Sequence, residues 1–514
     1  MFIRESKYIS SSNNEPNLDY NIEDPYYNIP WSRVYEYPLI IDKIEELKKS
    51  KSPKIHNTSW GFCGTHIKFK NELDLRYDCL HTDLKESNLE KTGIYNITQK
   101  PPRDWIENFD FVLNVSTIEE VDSDPFEIME NLYSMVKPGG FLILTIDSDG
   151  IDLNEFEKRF GQIGGNDNTK LDGDNSIARY EMYKDYYCFY VIIEKISYTA
   201  ILNLFKRPEY LIEQINSIKN QTCKPSEIIL WNNSGSSLDE LDVPDDVIKI
   251  NCSKNFGPWG RFTGALNSKS EYILTVDDDI IPGRKWVENC YQTHLETGGM
   301  SGGYGVIFNG KGYNYYTHTA GWTTPLNSQI EVDVCGHTLF FKKSWLKYYW
   351  LDNEITEENF LCGEDMSMSY SIRKHLGLKT FVPPHPFDCL DKWSSDPIKA
   401  NQYNSDGKGI SSNENSSLNI MKYAEKLIDL GHPILEETDL SIFKVDKADS
   451  HFSTTVKTKK IGEIKVKVKD KEGNERINSF YAEYANLEYW FSFDFAVSNV
   501  EYYLNEIFIF SFDL

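Results

Sequence analysis

Apolar runs alternate with helical stretches along the first part of the chain. Residues 109–113, 141–146 and 187–193 are apolar enough for buried strands, and residues 125–136 carry apolar side chains at helical spacing. A short helical pattern over 40–49 precedes them. Strands and helices in this alternation predict a parallel sheet with helices on its faces.

A second alternation begins near residue 196. Its helix, predicted over 209–219, places Leu211, Ile215 and Ile218 on one face, the spacing of a buried helical stripe. The predicted strands cover residues 198–202, 228–231, 247–251 and 272–276. This second alternation predicts a second α/β domain.

The pattern changes after about residue 400. Residues 401–417 are rich in Asn, Ser and Gly, which indicates a loop, and residues 421–430 form a helical pattern that ends at Gly431. Apolar and charged residues alternate over 464–468, which is typical of a strand. We therefore predict an α/β multidomain protein. Its segments are an N-terminal extension packing on the first domain (1–53), two α/β domains (54–195 and 196–435) and a small β-rich C-terminal region (436–514).

The composition narrows the range of partners. The 514 residues carry 54 Lys and Arg against 79 Asp and Glu, a formal charge of −25. Because binding to phosphate backbones needs a basic surface, we expect no nucleic-acid partner. No apolar run reaches the roughly 18 residues of a membrane span, so no transmembrane segment is expected. The nine cysteines form no CxxC pair, and the N-terminus is polar, which favours reduced thiols and a cytoplasmic location.

The most informative segment is an apolar strand that runs into three aspartates. Residues 272–276 lead directly into Asp277, Asp278 and Asp279, and ligands of α/β sheets bind beyond the carboxyl ends of strands. Adjacent carboxylates repel one another unless a cation neutralises them, and Mg²⁺ and Mn²⁺ accept oxygen ligands. On an extended strand Asp277 and Asp279 would share one side, with Asp278 opposite. The alternative is a solvated acidic turn.

Other polar residues follow strands of the same predicted domain. Arg207 and the pair Asn232 and Asn233 each come after a predicted strand, and Arg261 lies in a Gly-containing stretch before the aspartates. We expect these groups to gather at the same sheet edge. They would offer amides for a base or ribose and a cation for a phosphate.

These motifs together resemble a glycosyltransferase of the GT-A fold, in particular the family 2 and exostosin-like enzymes. The resemblance covers about residues 196–390. It rests on the Arg207 turn and its helix, Trp231-Asn-Asn233, the aspartates 277–279 (a DxD motif) and Cys362-Gly-Glu-Asp365. It implies a central α/β/α domain that moves a hexosyl or N-acetylhexosaminyl group from a nucleotide-sugar donor to a glycan, a glycoconjugate or another hydroxyl acceptor. It also implies Mn²⁺ or Mg²⁺ as cofactor.

The resemblance implies roles for the acidic residues. Asp277 would lie near the donor ribose and Asp279 would ligate the metal; Asp277 is a further metal candidate and Asp278 could share either task. His385 lies where some GT-A enzymes place a third metal ligand, the alternative being a histidine of a surface loop.

It also implies roles for four residues around the donor. Asn232 and Asn233 would contact the base or ribose, Arg261 would approach the diphosphate, and Arg207 would belong to the same donor site.

A second acidic pair is the candidate acid/base group. Asp365, with Glu364 as the alternate, precedes a predicted helix over 366–376 and would deprotonate the acceptor hydroxyl. In a retaining enzyme Asp365 would instead orient donor or acceptor. The alternative is that Asp365 only caps the helix. Trp322 could be a platform for sugar stacking, but a core position fits equally well. Cys335-Gly-His337 could line an acceptor site, but a strand and turn fit equally well.

The first α/β domain resembles the class I S-adenosylmethionine-dependent methyltransferases, which have a Rossmann-like fold. The resemblance rests on the strand ending in Asn114, the helix after it and the Pro-Gly-Gly turn over 138–140. It implies a glycine loop at Gly61 and Gly64 and a ribose-binding acid at Asp83, with S-adenosylmethionine as a possible cofactor. The loop departs from the family, because only two glycines remain, flanked by Trp60 and Phe62.

The sequence thus favours a metal-dependent glycosyltransferase, with sugar methylation as a possible second activity. Two alternatives stay open: a sugar O-methyltransferase whose central domain binds glycans, and a non-catalytic scaffold for glycan assembly. The sequence leaves the oligomeric state undetermined.

Overall fold

The chain folds into two compact units, Met1–Ser197 and Tyr198–Leu514, in the computed structural model. The structure describes residues 1–9, 15, 17–20, 33–61, 64–164, 188–239, 241–308, 319–357, 359–404, 414–431, 440–448, 451–458, 462–470, 472–482, 488–493, 499–504 and 507–513. Among these residues no helix combines the length and the apolar character that crossing a bilayer requires.

The first unit is a helix-covered sheet. Its elements are β1 (Phe2–Tyr8), α1 (Arg33–Leu47), β2 (Lys54–Thr58), α2 (Gly64–Arg76), β3 (Asp78–Asp83), β4 (Thr92–Ile94), β5 (Phe109–Val115), α3 (Pro125–Met135), β6 (Val136–Asp147), α4 (Leu153–Phe160) and β7 (Cys188–Glu194). The strand order is β1-β7-β6-β5-β2-β3-β4; β7 runs antiparallel to both neighbours and the others pair in parallel. The Rossmann-like prediction is confirmed. The N-terminal segment contributes β1 as an edge strand.

Both faces of this sheet are buried. Along β6, Phe141 and Ile143 join the apolar cluster that contains side chains of α1 and α2, whereas Leu142 and Leu144 join the cluster that contains α3 and α4. Because side chains alternate along a strand, a sheet covered on both sides needs such a continuous apolar run. The predicted Pro-Gly-Gly turn is part of β6, with Gly139 in the left-handed region at φ 84°.

The second unit begins with a mixed sheet and its helices. The elements are β8 (Tyr198–Leu204), α5 (Leu211–Lys219), β9 (Glu227–Asn232), β10 (Ile248–Asn251), α6 (Gly260–Ala265), β11 (Tyr272–Val276), α7 (Trp286–Thr297), β12 (Met300–Val306), β13 (Thr319–Gly321), β14 (Ile330–Val332), β15 (Val334–Lys342), α8 (Leu346–Asp352), α9 (Glu364–Leu376), β16 (Thr380–Val382), α10 (Pro397–Asn404) and α11 (Glu414–Asp429). The predicted helix over 209–219 starts as a 3-10 turn at Pro208–Tyr210 and becomes α-helical at Leu211.

The strand order places the carboxyl ends of four strands at one edge of this sheet. The order is β10-β9-β8-β11-β15-β12-β16-β14, with β13 paired to β12. Strands β10, β9, β8 and β11 are parallel, so their carboxyl ends share an edge. Strand β15 runs antiparallel to β11, with Thr338 opposite Val276, so that the residues just before Thr338 extend past the end of β11.

The described residues of the C-terminal region are rich in β-strands, as predicted. Strands β17 (Leu440–Ala448), β18 (His451–Thr458) and β21 (Glu488–Phe493) form one sheet, and β19 (Gly462–Lys469), β20 (Glu475–Ala482), β22 (Asn499–Leu504) and β23 (Ile507–Asp513) form another. In β19, Ile464, Val466 and Val468 are buried, as their alternation with lysines predicts. The loop predicted over 401–417 is wrong at both ends, because α10 continues to Asn404 and α11 begins at Glu414; residues 405–413 lie outside the described part.

Candidate active site

A cavity of about 220 Å³ lies at the shared carboxyl edge of β8 and β11. Among its lining residues are two arginines, Arg207 and Arg261, and five carboxylates, Asp277, Asp278, Asp279, Glu364 and Asp365. The structure therefore brings together these seven residues. Cys335, Gly336 and His337 of β15, the predicted candidates for an acceptor site, line the cavity beside them.

The three aspartates do not alternate as an extended strand would. Strand β11 ends at Val276, and the chain then turns, with the Asp277 amide donating to the His337 carbonyl at 3.0 Å and the Ile280 amide donating to the Asp277 carbonyl at 3.2 Å. The turn directs Asp278 and Asp279 to one guanidinium and Asp277 to another. The expectation that Asp277 and Asp279 share a side is therefore wrong, since it assumed that the strand continues.

Arg207 binds two of the aspartates. Its Nη1 lies 2.8 Å from Asp278 Oδ1 and 3.4 Å from Asp279 Oδ2, and the Lys206 amide donates to Asp278 Oδ2 at 3.2 Å. Burial, followed by the neighbouring charge of Asp279, raises the pKa of the Asp278 carboxyl above its ordinary value in spite of Arg207. The contact of Arg207 with Asp279 is longer than its contact with Asp278.

Arg261 joins the aspartates to the second acidic pair. Its Nη1 binds Asp277, and its Nη2 donates to Glu364 Oε1 and Asp365 Oδ1, each at 2.8 Å. The guanidinium is buried, and its Nε has no hydrogen-bond partner. Although burial opposes the charge, Asp365 and Glu364 raise the pKa of Arg261. One cation therefore binds three carboxylates, of which Asp365 is 104 residues away from Arg261 in the sequence.

Glu364 and Asp365 occupy the first turn of α9. Burial and then the charge of Asp365 raise the pKa of Glu364 to about 7, and burial also raises the pKa of Asp365. The N-cap is Gly363, in the left-handed region at φ 88°, where a Cβ would lie 2.4 Å from the Tyr423 ring. The alternative that Asp365 only caps the helix is therefore wrong, because the cap is a glycine and Asp365 binds Arg261 instead.

The two asparagines brace loops behind the cavity. Asn232 Nδ2 donates to the Ser236 carbonyl at 2.8 Å and to Asn251 at 2.9 Å. Asn233 donates to Asn255 and to the Gly257 carbonyl, and accepts from the Phe256 amide at 2.7 Å. Both side chains are buried and neither lines the cavity. In this arrangement they order the chain that leads to Arg261.

His385 lies apart from the carboxylates. Its Nδ1 is 2.7 Å from the Pro383 carbonyl and its Nε2 is 2.8 Å from the Thr324 carbonyl. The side chain is buried, which lowers the pKa of the ring, and it does not line the cavity. Both ring nitrogens thus face backbone oxygens, and we assign His385 no part in the proposed metal site.

The donor atoms of the cavity suit a hard divalent cation. All the acidic side chains of the cavity offer oxygen ligands. The five carboxylates exceed the three lining cations, Lys206, Arg207 and Arg261, in formal charge by two. Within the described residues, the groups of three ligand atoms that lie within 4.8 Å of one another occur in the first unit, as Asp74, Cys79 and His81 and as Glu36, Asp147 and Cys188. In the cavity, the aspartates are bound to Arg207 and Arg261.

The predicted S-adenosylmethionine site of the first unit has the expected glycine turn in its backbone, but side chains occupy the space beside that turn. Gly61 adopts φ 70°, and its amide donates to Asp83 Oδ2 at 3.1 Å, while Asp83 Oδ1 accepts from the Leu84 amide at 2.7 Å. Gly64 begins α2. Asn114 is buried and donates to Thr58 Oγ1 at 3.0 Å. The fold therefore brings Gly61 and Asp83 together.

Aromatic side chains occupy the space over this glycine turn. A Cβ on Gly61 would lie 2.8 Å from the His66 ring, whose Nδ1 is hydrogen-bonded to Tyr37 of α1. The Tyr37 ring stacks on Phe69 at 3.9 Å. These side chains and Trp60 line a cavity of about 140 Å³. A cradle for the cofactor needs open backbone amides, so the described residues do not fit S-adenosylmethionine.

Beside this cavity lies a buried polar cluster that the sequence analysis did not identify. Glu36 binds Arg33 at 2.5 Å and accepts from Ser116 Oγ at 2.5 Å. Burial, followed by the charge of Asp147, raises the pKa of Glu119 to about 8. Glu36 lies before the helical pattern predicted over 40–49, and its partner Ser116 is 80 residues away, so the sequence contains no signal for this cluster.

One known family of proteins matches part of the second unit. Residues 199–350 match the family model described as glycosyl transferase family 2. No curated protein matches the chain. This match confirms the family 2 resemblance that the motifs predict for the central domain.

Several solved structures are similar to parts of the chain. TarS of S. aureus is 13% identical, with 62% of this chain and 77% of TarS covered and a TM-score of 0.29. The mannosyltransferase PcManGT from Pyrobaculum calidifontis, in complex with GDP-Man and Mn²⁺, is 15% identical, with 46% and 70% covered and a TM-score of 0.28. An S-adenosylmethionine-dependent methyltransferase from Clostridium acetobutylicum ATCC 824 is 16% identical, with 22% and 49% covered and a TM-score of 0.19. The chain spans about half the length of that methyltransferase.

Proposed function

We propose that this chain, through its glycosyl transferase family 2 domain, transfers a hexosyl or N-acetylhexosaminyl group from a nucleotide-diphosphate donor to a hydroxyl acceptor with the help of a divalent cation. The observation that carries the proposal is the convergence of five carboxylates and two buried arginines on one cavity at the carboxyl edge of the sheet. Acidic side chains in this number are unfavourable together unless a cation or a proton compensates them.

The metal-binding residues of the proposal are Asp279 and Asp277. Asp277 and Asp279 line the cavity together, and the resemblance to GT-A enzymes makes Asp279 the first candidate for a cation ligand. A bound Mg²⁺ or Mn²⁺ would supply electrostatic stabilisation of the charge on the leaving diphosphate. Asp278, held by Arg207, would complete the donor side of the site.

The proposed base is Asp365, supported by Glu364. A carboxylate whose pKa is raised toward neutrality accepts a proton more readily, and both acids have raised pKa values. Arg261 holds both carboxyl groups and Asp277 in place, so we assign it a positioning role between the donor and acceptor sides of the cavity. Asn232 and Asn233 would support the donor site through the loop before α6.

No methyl transfer is proposed for the first unit, because the His66 ring occupies the space beside Gly61 and both carboxylate oxygens of Asp83 accept from backbone amides. The unit is better explained as a scaffold that kept a Rossmann-like sheet. The acceptor and the donor base are not assigned by this proposal.

The proposal is tested by turnover of a panel of nucleotide sugars with Mn²⁺. We expect hydrolysis or transfer of at least one donor by the wild type, loss on chelation, and a loss of two orders of magnitude or more in Asp279→Asn, about the size of one transition-state contact. Asp245→Asn is the matched control, since Asp245 is an exposed carboxylate of the same unit. Full activity of Asp279→Asn with intact folding would refute the metal assignment.

A further inference from the structure

A group of metal-ligating side chains in the first unit has no part in the proposed function. Ligand atoms of Asp74, Cys79 and His81 all lie within 4.8 Å of one another. Cys79 and His81 are buried, whereas Asp74 is partly exposed, so the group reaches the protein surface at Asp74. None of the three side chains lines the cavity over Gly61. The group is therefore separate from the predicted cofactor site.

Local structure brings the three side chains together. Helix α2 runs almost directly into strand β3, so the end of the helix lies beside the start of the strand. Cys79 and His81 are two positions apart on β3, and side chains at this spacing point to the same face of a sheet. Asp74 lies near the end of α2, and its carboxylate contacts His81 on that face. The pattern Asp-x4-Cys-x-His thus places three different ligand types at one point within residues 74–81.

The ligand types and their spacing suit Zn²⁺. Zn²⁺ binds thiolate, imidazole and carboxylate together, whereas Mg²⁺ and Mn²⁺ favour sets of oxygen ligands. With bonds of about 2.0–2.3 Å to the metal, the ligand atoms of a tetrahedral zinc site are roughly 3.3–3.8 Å apart. His81 Nε2 and Asp74 Oδ1 are already 3.3 Å apart. The Cys79 sulfur lies close enough to both residues that small rotations of the side chains would complete the set.

Asn57 holds the His81 ring with Nε2 toward Asp74. The Asn57 amide lies 3.2 Å from His81 Nδ1, and both side chains are buried. Either end of an amide group can face a ring nitrogen, because its oxygen and nitrogen are alike in size. With the amide oxygen toward Nδ1–H, Nε2 carries a lone pair for a metal. Histidines that bind metals commonly donate their second ring N–H in this way.

The charges around Asp74 allow a metal to enter. Lys70 Nζ binds Asp74 Oδ2 at 2.6 Å, and Lys91 Nζ lies 3.5 Å from Asp74 Oδ1. The Lys91 side chain is 45% exposed and can move into solvent, while Lys70 keeps the other oxygen. The thiolate is the form of Cys79 that binds a metal, so binding releases the thiol proton. Zn²⁺ would thus replace two positive charges, that proton and the Lys91 ammonium, and leave the net charge of the group unchanged.

We propose that Asp74 Oδ1, Cys79 Sγ and His81 Nε2 bind one Zn²⁺ in the first unit. On binding, the S–H bond of Cys79 breaks, its proton goes to solvent and the sulfur forms a bond to the metal. Water takes the fourth position, because the group is open to solvent at Asp74. The site is independent of the proposed glycosyl transfer. The metal would join the end of α2 to β3 and so stabilise the first unit.

The test is Zn²⁺ binding to the full chain after treatment with EDTA, measured by competition with a chromophoric chelator. We expect the wild type to bind one Zn²⁺ tightly. Cys79→Ala and Asp74→Asn should each lower the affinity about 100-fold or more, above the usual range for loss of a group that only orients a ligand. Lys91→Met should raise the affinity about two- to fivefold, because a competing exposed cation is removed.

Co²⁺ provides a spectroscopic check of the cysteine ligand. We expect Co²⁺ bound to the wild type to show sulfur-to-cobalt charge-transfer absorption, and Cys79→Ala to lack it. Cys252→Ser is the matched control, since Cys252 belongs to neither ligand group of the described residues. It should keep both the absorption and the affinity for Zn²⁺. Circular dichroism establishes that each variant is folded, and Asp74→Asn, at a partly exposed position, carries the test if Cys79→Ala does not fold.

Three outcomes would overturn the site. Equal affinity for Zn²⁺ in the wild type, Cys79→Ala and Asp74→Asn would show adventitious binding only. Binding that is lost in Cys188→Ala and kept in Cys79→Ala would assign the metal to the group of Glu36, Asp147 and Cys188 instead. Weaker binding in Lys91→Met would contradict the replacement of its charge by the metal. Donor turnover with Mn²⁺ is measured separately, so a failed zinc site leaves the proposed transfer standing.

Discussion

Both units place polar residues at the carboxyl edge of a largely parallel sheet. The units differ in whether those residues line a cavity or are covered by other side chains. In the second unit Asp277, Asp278 and Asp279 line an open cavity and are held by arginines. In the first unit the corresponding turn at Gly61 faces His66, which is hydrogen-bonded to Tyr37 of an N-terminal helix. The position at the sheet edge makes a site possible. Whether the protein's own side chains already occupy it decides whether a ligand can enter.

The largest effect is expected at the proposed base. Asp365→Asn removes the group that would take the acceptor proton and keeps the size of the side chain, so transfer to an acceptor should fall about 10²- to 10⁴-fold. The measurement is the transfer rate at saturating donor, with Asp245→Asn as the control. Transfer within threefold of the wild type would exclude Asp365 as the base.

Substitution of a buried arginine should destabilise either unit, but we expect Mn²⁺ to restore stability only in the second unit. Arg261→Met leaves three carboxylates without their cation, and Arg33→Met leaves the buried Glu36 unpaired. Each should lower the free energy of unfolding by about 3–5 kcal/mol. We expect Mn²⁺ to restore part of the stability of Arg261→Met and none of that of Arg33→Met, measured as melting temperature with and without Mn²⁺. Equal responses would contradict the assignment of the cation to the second unit.

The first unit should lose stability as the pH rises through neutrality. The pKa of Glu119 is raised by burial to about 8 in the folded state from 4.5, so the folded unit binds the proton more tightly than the unfolded chain does. Its contribution to stability is present below about pH 4.5 and is lost as the pH rises to about 8, at no more than about 1.4 kcal/mol per pH unit.

Glu119→Gln should flatten this dependence, because the amide does not titrate. The check is the denaturation midpoint of the first unit between pH 5 and 8 in both proteins. An unchanged slope in the variant would show that Glu119 is not the titrating group.

The smallest effect is expected from S-adenosylmethionine. Because the space over Gly61 is filled, saturating cofactor should leave the melting temperature within about 1 °C. A ligand at 100 times its dissociation constant would add about 2.7 kcal/mol to the stability of the folded state, which is about 5–10 °C for a unit of this size. A shift of that order would show that the first unit binds the cofactor after all.

Local patterns in the sequence were enough to predict most of the sheet elements. Strands β5, β8, β9 and β11 follow from short apolar runs, and the alternation in β19 follows from its lysines. These features depend on residues within a few positions of one another, so a single sequence contains them. The family 2 resemblance was accessible for the same reason, because its motifs are short and ordered.

The hydrogen-bond and ion-pair partners of the site residues could not be predicted from local patterns in the sequence. Arg261 was expected at the diphosphate, yet it binds Glu364 across 103 residues of sequence. Asn232 and Asn233 satisfy loop atoms, and His385 faces two carbonyls, because the packing of distant segments brings those groups within reach. Tyr304, which lines the cavity, was missed altogether; its only local signal was a run of glycines around it, Gly302-Gly-Tyr-Gly305.

Anomalous diffraction from crystals grown with Mn²⁺ and a nucleotide diphosphate tests the central claim most directly. The account predicts one manganese peak within coordination distance of the Asp279 carboxylate, with the diphosphate oxygens completing its ligands. A cavity without manganese while the nucleotide is bound, or manganese bound only at Glu36 and Asp147 of the first unit, would contradict it.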